Sequence, residues 1–350
     1  MIQCNQMNVN VYKSKNSITM NDIAREAGVS VATVSRFINN ETSVSAAKAE
    51  RIQAVIQQFH YKPNLYARGL KTNRAMQIML IVPDITNPYY ARLYDVVQNI
   101  AHKEKYVVIL FNTNEEEENE FKAIELLSEL NCDGVIFCSV SENFEIVERL
   151  KAFNKPVVAS SSFEYRYFDT VHGIKPGQGV YLGTKYLLEN GHRVIGFAGG
   201  NPKSILNDRR YSGYKRALAE YGISAEQQYC FSHSFTLEGG YQSGEYFSRH
   251  INRLSAVACA NDMIAIGMMQ YFDKVGIQVP KDISIVGMDN IAMSEVVRPA
   301  LTTVSNNSEE FAKKAARLLF DRVLHGYEGA AREVFCDRTL VERETVLRRS

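Results

Sequence analysis

The stretch Thr19-Met20-Asn21-Asp22-Ile23-Ala24-Arg25-Glu26-Ala27-Gly28-Val29-Ser30-Val31-Ala32-Thr33-Val34-Ser35-Arg36-Phe37-Ile38-Asn39 reads as two short helices joined by a glycine turn. Thr19 followed three residues later by Asp22 is a capping-box-like start, Ile23, Ala24 and Ala27 then share one face, and Gly28 ends the helix. Ser30 is placed to cap a second helix with Val34, Phe37 and Ile38 inward and Val31, Ala32, Thr33, Ser35 and Arg36 outward. A third helix, expected to be capped by Ser45, carries Ile52, Val55, Ile56 and Phe59 at helical spacing and completes a three-helix unit of helix-turn-helix type.

In such a unit the second helix fits the major groove of DNA, with its first residues at the base edges. Arg36 is the candidate base reader: its guanidinium fork matches guanine O6 and N7, worth about 1–3 kcal/mol of discrimination. A merely solvated surface arginine is the alternative. The hydroxyls of Thr19, Ser30, Thr33 and Ser35 suit phosphate oxygens or bridging water.

Charge supports a polyanion partner for this part of the chain. The 350 residues hold 40 Lys and Arg against 39 Asp and Glu, a near balance. Residues 1–76 alone contain ten basic and four acidic side chains, a net of +6, which leaves −5 on the remainder. A basic head on an acidic body is the pattern of a nucleic-acid binder, although a solvated basic surface has the same composition.

No uncharged apolar run reaches the ~18 residues a membrane helix needs, and residues 1–17 are too polar for a signal-peptide core, so a cytoplasmic protein is expected. Cys4, Cys132, Cys138, Cys230, Cys259 and Cys336 form no C-x-x-C pair, and are read as reduced, mostly buried thiols rather than a metal site or disulfide framework.

Between head and body, Tyr61-Lys62-Pro63-Asn64-Leu65-Tyr66-Ala67-Arg68-Gly69-Leu70-Lys71 contains a helix cap at Asn64 and about seven helical residues, too few to hold a helix alone in water. This segment is expected to fold on contact with a partner. Leu70 is either a wedge between base steps of the minor groove or a packing residue against the neighbouring domain.

From Gln77 onward apolar strand-like runs alternate with amphipathic helical stretches: 78–82, 89–104, 107–111, 116–131, 135–138 and 156–160, then 176–190, 194–198, 206–221, 228–231, 239–250, 256–259, 262–275 and 283–287. Two such sets predict two similar lobes with parallel sheets and a ligand cleft outside the carboxyl ends of the strands. Enzyme signatures are weak. Gly177-Gln178-Gly179 is followed by Gly183 without a clean preceding strand, so the dinucleotide fingerprint fails on spacing and context. The seven histidines, 60, 102, 172, 192, 233, 250 and 325, show no ligand spacing and are expected at the surface or at helix ends. Glu115-Glu116-Glu117-Glu118 is a charge run at a helix start, where it suits the helix dipole.

The chain resembles the lactose-repressor/galactose-repressor family of bacterial transcription factors. The resemblance rests on Met20-Asn21-Asp22-Ile23-Ala24, Ala27-Gly28-Val29-Ser30, Ala32-Thr33-Val34-Ser35-Arg36, Asn39, Tyr61-Lys62-Pro63-Asn64 and Pro83-Asp84-Ile85-Thr86-Asn87-Pro88. It continues through Gly191-His192, Asn261-Asp262, Gly287-Met288-Asp289 and Pro299-Ala300-Leu301-Thr302-Thr303, in order, from about residue 18 to the end.

That resemblance implies an N-terminal all-α helix-turn-helix domain followed by an α/β two-lobed effector domain of the type I periplasmic-binding-protein kind, with parallel sheets. The implied layout is an extension at 1–17, a DNA-binding domain at 18–62, a hinge at 63–74 and an effector-binding and dimerisation domain at 75–350. Its first lobe spans about 75–174 and 305–335, and its second about 175–304 and 336–350. The resemblance further implies a homodimer on a pseudo-palindromic double-stranded operator, with paired hinge helices forming on DNA. Leu70 then matches the minor-groove wedge, Tyr61, Asn64, Ala67 and Lys71 match hinge or backbone-contact positions, and Val31 and Ala32 match variable base-contact positions.

In the cleft the implied residues are Tyr89, Tyr90, Arg210, Phe235, Asn261 and Asp289, suited to a small-molecule effector such as a sugar or sugar derivative. Ser161 departs from the acidic residue common at its position, which favours a phosphorylated or differently oriented ligand. No catalytic residue, cofactor, metal or membrane partner is expected. Alternative readings are control by a phosphorylated carrier protein docking on the first lobe, or a sugar-binding transport component built on the same body.

Overall fold

The structure, a computed structural model, describes residues 18–39, 44–61, 74–138, 141, 143–160, 167–173 and 177–349. The chain divides into two compact units, Met1–Ala75 and Met76–Ser350.

The first unit holds helices α1 (Met20–Glu26), α2 (Val31–Asn39) and α3 (Ala46–Gln58). Thr19 and Asp22 close a reciprocal capping box at the start of α1. The helix ends on Gly28, whose φ of 61° frees the chain to turn. Val29 N then donates to Ala24 O at 3.0 Å and Gly28 N to Arg25 O at 3.3 Å, the paired bonds of a Schellman ending. Ile23, Ala24, Ala27, Val34, Phe37, Ile52 and Val55 make one small core with Tyr61 packed at its edge. Ser45 stands at the cap position of α3, but its hydroxyl makes no capping bond, contrary to the expectation from its residue type.

The second unit contains two six-stranded sheets. The first lobe uses β1 (Gln77–Val82), α4 (Pro88–Lys103), β2 (Val107–Asn112), α5 (Glu117–Glu129), β3 (Val135–Phe137), α6 (Phe144–Ala152), β4 (Val157–Ser160) and β5 (Asp169–Gly173). The second uses α7 (Gln178–Glu189), β6 (Ile195–Gly199), α8 (Ile205–Glu220), β7 (Cys230–Ser232), α9 (Leu237–Ser248), β8 (Ala256–Cys259), α10 (Asp262–Val275), β9 (Ser284–Asp289), α11 (Met293–Val296) and β10 (Thr303–Ser305). The chain then returns to the first lobe as α12 (Ser308–Val323) and β11 (Glu333–Cys336), and ends in the second as β12 (Thr339–Val341).

The sheets run β11-β5-β4-β3-β1-β2 and β12-β10-β9-β8-β6-β7. Their pairings are parallel, as expected, except that the short β12 lies antiparallel to β10. Both faces are covered: β1 from Ile78 to Val82 is fully buried, with one apolar cluster on each side of it. A third cluster fills the second lobe around Phe197, Tyr214, Phe247 and Phe272.

Crossings between lobes fall after Gly173, after Ser305 and after Cys336. The return is anchored at Asp169, buried at the start of β5, which accepts from Arg322 Nη2 at 2.8 Å and from Arg332 Nη2 at 2.7 Å. Gly177 and Gly213 touch where α7 starts beside α8; a Cβ on Gly213 would overlap the Gly177 carbonyl oxygen. That contact accounts for Gly177 of the failed dinucleotide pattern, which starts a helix at φ 67° against a neighbouring helix, while Gly179 packs on Met288 and Gly183 on Val286.

Two expectations need correction here. His192 is fully buried rather than superficial, with Nδ1 3.0 Å from Ser255 Oγ and Nε2 3.0 Å from the Leu347 carbonyl. Burial lowers its imidazole to about 4. Glu115 is outside α5, in the left-handed region at φ 59°. It therefore does not belong to the helix-start run that Glu117 and Glu118 form.

Candidate functional site

On the first unit, the Gly28 turn places α2 against α1 and leaves Val31, Ala32 and Arg36 exposed. Arg36 reaches only its own helix among the described residues, Nε donating to Ala32 O at 3.4 Å, so its fork remains available. Ser35 is half-buried on the same helix. Thr33 is buried, which corrects its placement on the outer face, and its Oγ1 lies 2.9 Å from Ser30 Oγ. Ser30 Oγ also accepts from Thr33 N at 3.2 Å, so both hydroxyls serve the helix start. Thr19 is exposed, with Oγ1 donating to Asp22 Oδ2 at 2.6 Å. Tyr61 is half-buried against the core. Asn39 closes α2. Asn64, Ala67, Leu70 and Lys71, expected at the hinge, and Ser161, expected in the cleft, lie outside the described residues.

On the second unit, the strand ends and crossings gather a set of polar and aromatic groups between the lobes. Asn87 caps α4, its Oδ1 accepting from Tyr89 N at 3.0 Å, with Pro88 fitting the first turn. This start brings Tyr89 and Tyr90 edge to face, 5.0 Å between centroids. Ser204 caps α8, whose buried face carries Arg210. The Arg210 guanidinium lies 4.9 Å over the Phe235 ring, and Nη2 is 3.9 Å from Asp289 Oδ1. Arg210 Nε is buried with no hydrogen-bond partner among the described residues.

Asp289 ends β9 at φ 115°, a conformation that L residues rarely adopt. Its side chain is buried, and Oδ1 accepts from Asn306 Nδ2 at 2.6 Å. Burial pushes its carboxyl up to about 6, against the opposing pull of Arg210. Asn306 in turn accepts from Arg338 Nε at 2.7 Å, linking the second crossing to the third. Arg338 lies against Gly173; a Cβ there would stand 2.7 Å from its guanidinium carbon. Facing this group, Glu115 of the first lobe accepts from Asn201 Nδ2 of the second at 3.4 Å, and burial raises its carboxyl.

Of the cleft residues expected from sequence, the structure brings together Tyr89, Tyr90, Arg210, Phe235 and Asp289. Asn261 is corrected: it is fully buried, Nδ2 donating to Phe235 O at 2.8 Å and Oδ1 accepting from Ile264 N at 2.9 Å. It caps α10 and holds the Phe235 loop, leaving little of the amide for a ligand. Glu115, Asn201, Asn306 and Arg338 were missed. Asn306 and Arg338 sit just past the second and third crossings, and no local sequence pattern marks either.

The arrangement offers aromatic faces for a ring, and two guanidinium groups, two carboxyls and amides for polar substituents. Among the described residues, no three His, Cys, Asp or Glu side chains gather as metal ligands. No helix among them is long and apolar enough to cross a membrane.

Residues 19–64 match the bacterial regulatory proteins of the lacI family, and residues 184–346 match the periplasmic binding protein-like domain. The transcriptional repressor PurR of Vibrio atlanticus is 33% identical over 311 residues, covering 87% of this chain and 92% of its own. Catabolite control protein A of Priestia megaterium is 32% identical over 304 residues, with the same coverage of 87% and 92%. The chain belongs to the LacI family. Within it, a regulator from Enterococcus faecium with bound ribose is 27% identical, with a TM-score of 0.70 over 78% of this chain and all of its own. The lac repressor dimer bound to operator shares the fold, with a TM-score of 0.82 over 95% of this chain, at 22% identity. As a LacI-family protein this chain is a sequence-specific DNA-binding transcriptional regulator with a periplasmic-binding-like effector domain, and not an enzyme.

Proposed function

We propose that the protein is a cytoplasmic repressor acting as a homodimer on a pseudo-palindromic operator, controlled by a sugar or sugar derivative held between the lobes of its second unit. Each copy reads one half-site with the outer face of α2. Arg36 supplies hydrogen bonds to a base, while Val31 and Ala32 offer methyl contacts to thymine. Thr19, Ser35, Asn39, Tyr61, Asn64, Ala67, Leu70 and Lys71 are assigned to the rest of the DNA contact. Ser30 and Thr33 support the helix start that presents it.

In the cleft, Tyr89, Tyr90 and Phe235 take the ring face and Arg210 and Asp289 the polar substituents, with Ser161 assigned to the same cavity. The observation that carries this is the buried Arg210 Nε, aimed beside Asp289 and Phe235 with no partner among the described residues. A buried guanidinium donor left open in this way costs free energy unless a ligand satisfies it. The ribose-bound relative supports the sugar class. Because the ligand touches both lobes, it favours one lobe arrangement; a coupling of about 1–3 kcal/mol changes operator affinity about 5–150-fold.

Selection of binding sites from random-sequence duplex DNA by the full chain tests the reading. An inverted repeat is expected to be enriched; a pool left without any common sequence would overturn it.

A further inference from the structure

Arg210 and Arg338 both lie within electrostatic reach of one buried carboxylate, Asp289. Asp289 Oδ1 is claimed by Asn306 Nδ2 at 2.6 Å, with Arg210 Nη2 at a looser 3.9 Å. Arg338 spends Nε on Asn306 Oδ1 at 2.7 Å, which fixes the plane of its guanidinium against Gly173. Asn306 is thus a spacer: it binds the acid with its amide nitrogen and the base with its oxygen, and holds Arg338 off the carboxylate. Two guanidinium groups share one carboxylate that an amide already occupies, and the buried Arg210 Nε has no partner among the described residues. Burial lowers the affinity of Arg338 for its proton and the neighbouring Arg210 adds to this, against the opposing pull of Asp289. Glu115, also within electrostatic reach of Arg210, accepts from Asn201 and adds a carboxylate suited to hydroxyl donors.

The geometry points to an effector that carries its own anionic group, a carboxylate or phosphate on a polyhydroxylated ring or chain, with Arg338 as the residue that selects for that charge. This deepens the sugar-class reading of the cleft and rests on it. The anion completes the charge of the Arg210–Arg338 pair through the open guanidinium N–H groups. Its hydroxyls reach Glu115 and Asp289, and its apolar face meets Tyr89, Tyr90 and Phe235. Planar guanidinium forks match carboxylate and phosphate oxygens in pairs, a geometry that a neutral hydroxyl does not satisfy.

The test is calorimetric titration of the full chain with glucuronate, galacturonate, glucose 6-phosphate, glucose and galactose, on wild type, Arg338→Gln and Arg338→Lys, each checked for folding by thermal melting. At least one charged probe is expected to bind about ten- to a hundredfold tighter than its neutral counterpart. Arg338→Gln should remove most of that preference and Arg338→Lys restore part of it. Which charged probe binds separates a carboxylate from a phosphate source. Tighter binding of the neutral sugars, or a preference unchanged in folded Arg338→Gln, would overturn the inference while leaving the sugar reading in place. Absence of binding by every probe would overturn both.

Discussion

Asn201 of the second lobe donates to the Glu115 carboxylate of the first at 3.4 Å, so the two lobes are joined by a side-chain hydrogen bond across the cleft they enclose. Asn201 is itself braced, its Oδ1 accepting from Lys203 N at 3.0 Å. Asn201→Ala removes the link without adding bulk. Hydrogen exchange of the amides around 113–116 and 199–203 should quicken by about 2- to 10-fold, the worth of one hydrogen bond. Unchanged exchange at both places would show that the link does not hold the lobes.

Arg36 extends from α2 and, among the described residues, its guanidinium contacts only Ala32 O. Arg36→Ala should lose about 1–3 kcal/mol of discrimination at one base position in each half-site, while random duplex DNA is bound almost as well. Competition binding with single-base operator variants measures this. An equal loss on operator and random DNA would reassign Arg36 to the phosphates.

The packing that positions Arg210 tolerates no side chain at Gly213, one turn further along α8, because the Gly177 carbonyl occupies the place of its Cβ. Gly213→Ala should destabilise the body by about 1–3 kcal/mol through forced separation of α7 and α8, read as a lower urea midpoint. A midpoint within error of wild type would mean that the helix pair adjusts freely.

His192 ties the end of the second lobe to β8 in its neutral form, burial lowering its imidazole from 6.5 to about 4. The unfolded chain therefore binds more protons than the folded one between these values. The contribution of His192 to stability is complete above pH 6.5 and is lost as pH falls toward 4. Thermal melting across that window should fall less steeply in His192→Gln than in wild type, although the variant melts lower at neutral pH. Parallel pH profiles would remove His192 from the acid response.

The helix-turn-helix was readable because its signals are local. The Thr19–Asp22 box, the Gly28 stop and the helical spacing of Val34 and Phe37 each act within a turn or two of chain. Thr33 was misplaced because its hydroxyl satisfies Ser30, which lets a polar residue tuck under the helix start. In the body, the long apolar strands and amphipathic helices were visible. The short β10 and β12, and β11 with Glu333 and Phe335 turned outward, carry too little periodicity to stand out. The cleft was only partly readable. Tyr89 and Asp289 lie at ends of recognisable elements and Arg210 on the buried face of a recognisable helix, whereas Asn306 and Arg338 meet through the sheet topology, 32 residues apart in sequence. Glu115 was hidden among four consecutive glutamates, and only its backbone turn at φ 59° separates it from them.

Coupling between the cleft and DNA is tested most directly by fluorescence anisotropy of a selected operator duplex, titrated with wild type and with Arg210→Gln, with and without the probe that binds most tightly by calorimetry. The account predicts that the probe changes the operator affinity of wild type by about 5–150-fold and that of Arg210→Gln by less than about twofold. A probe that fills the wild-type cleft yet leaves operator affinity unaltered would contradict it.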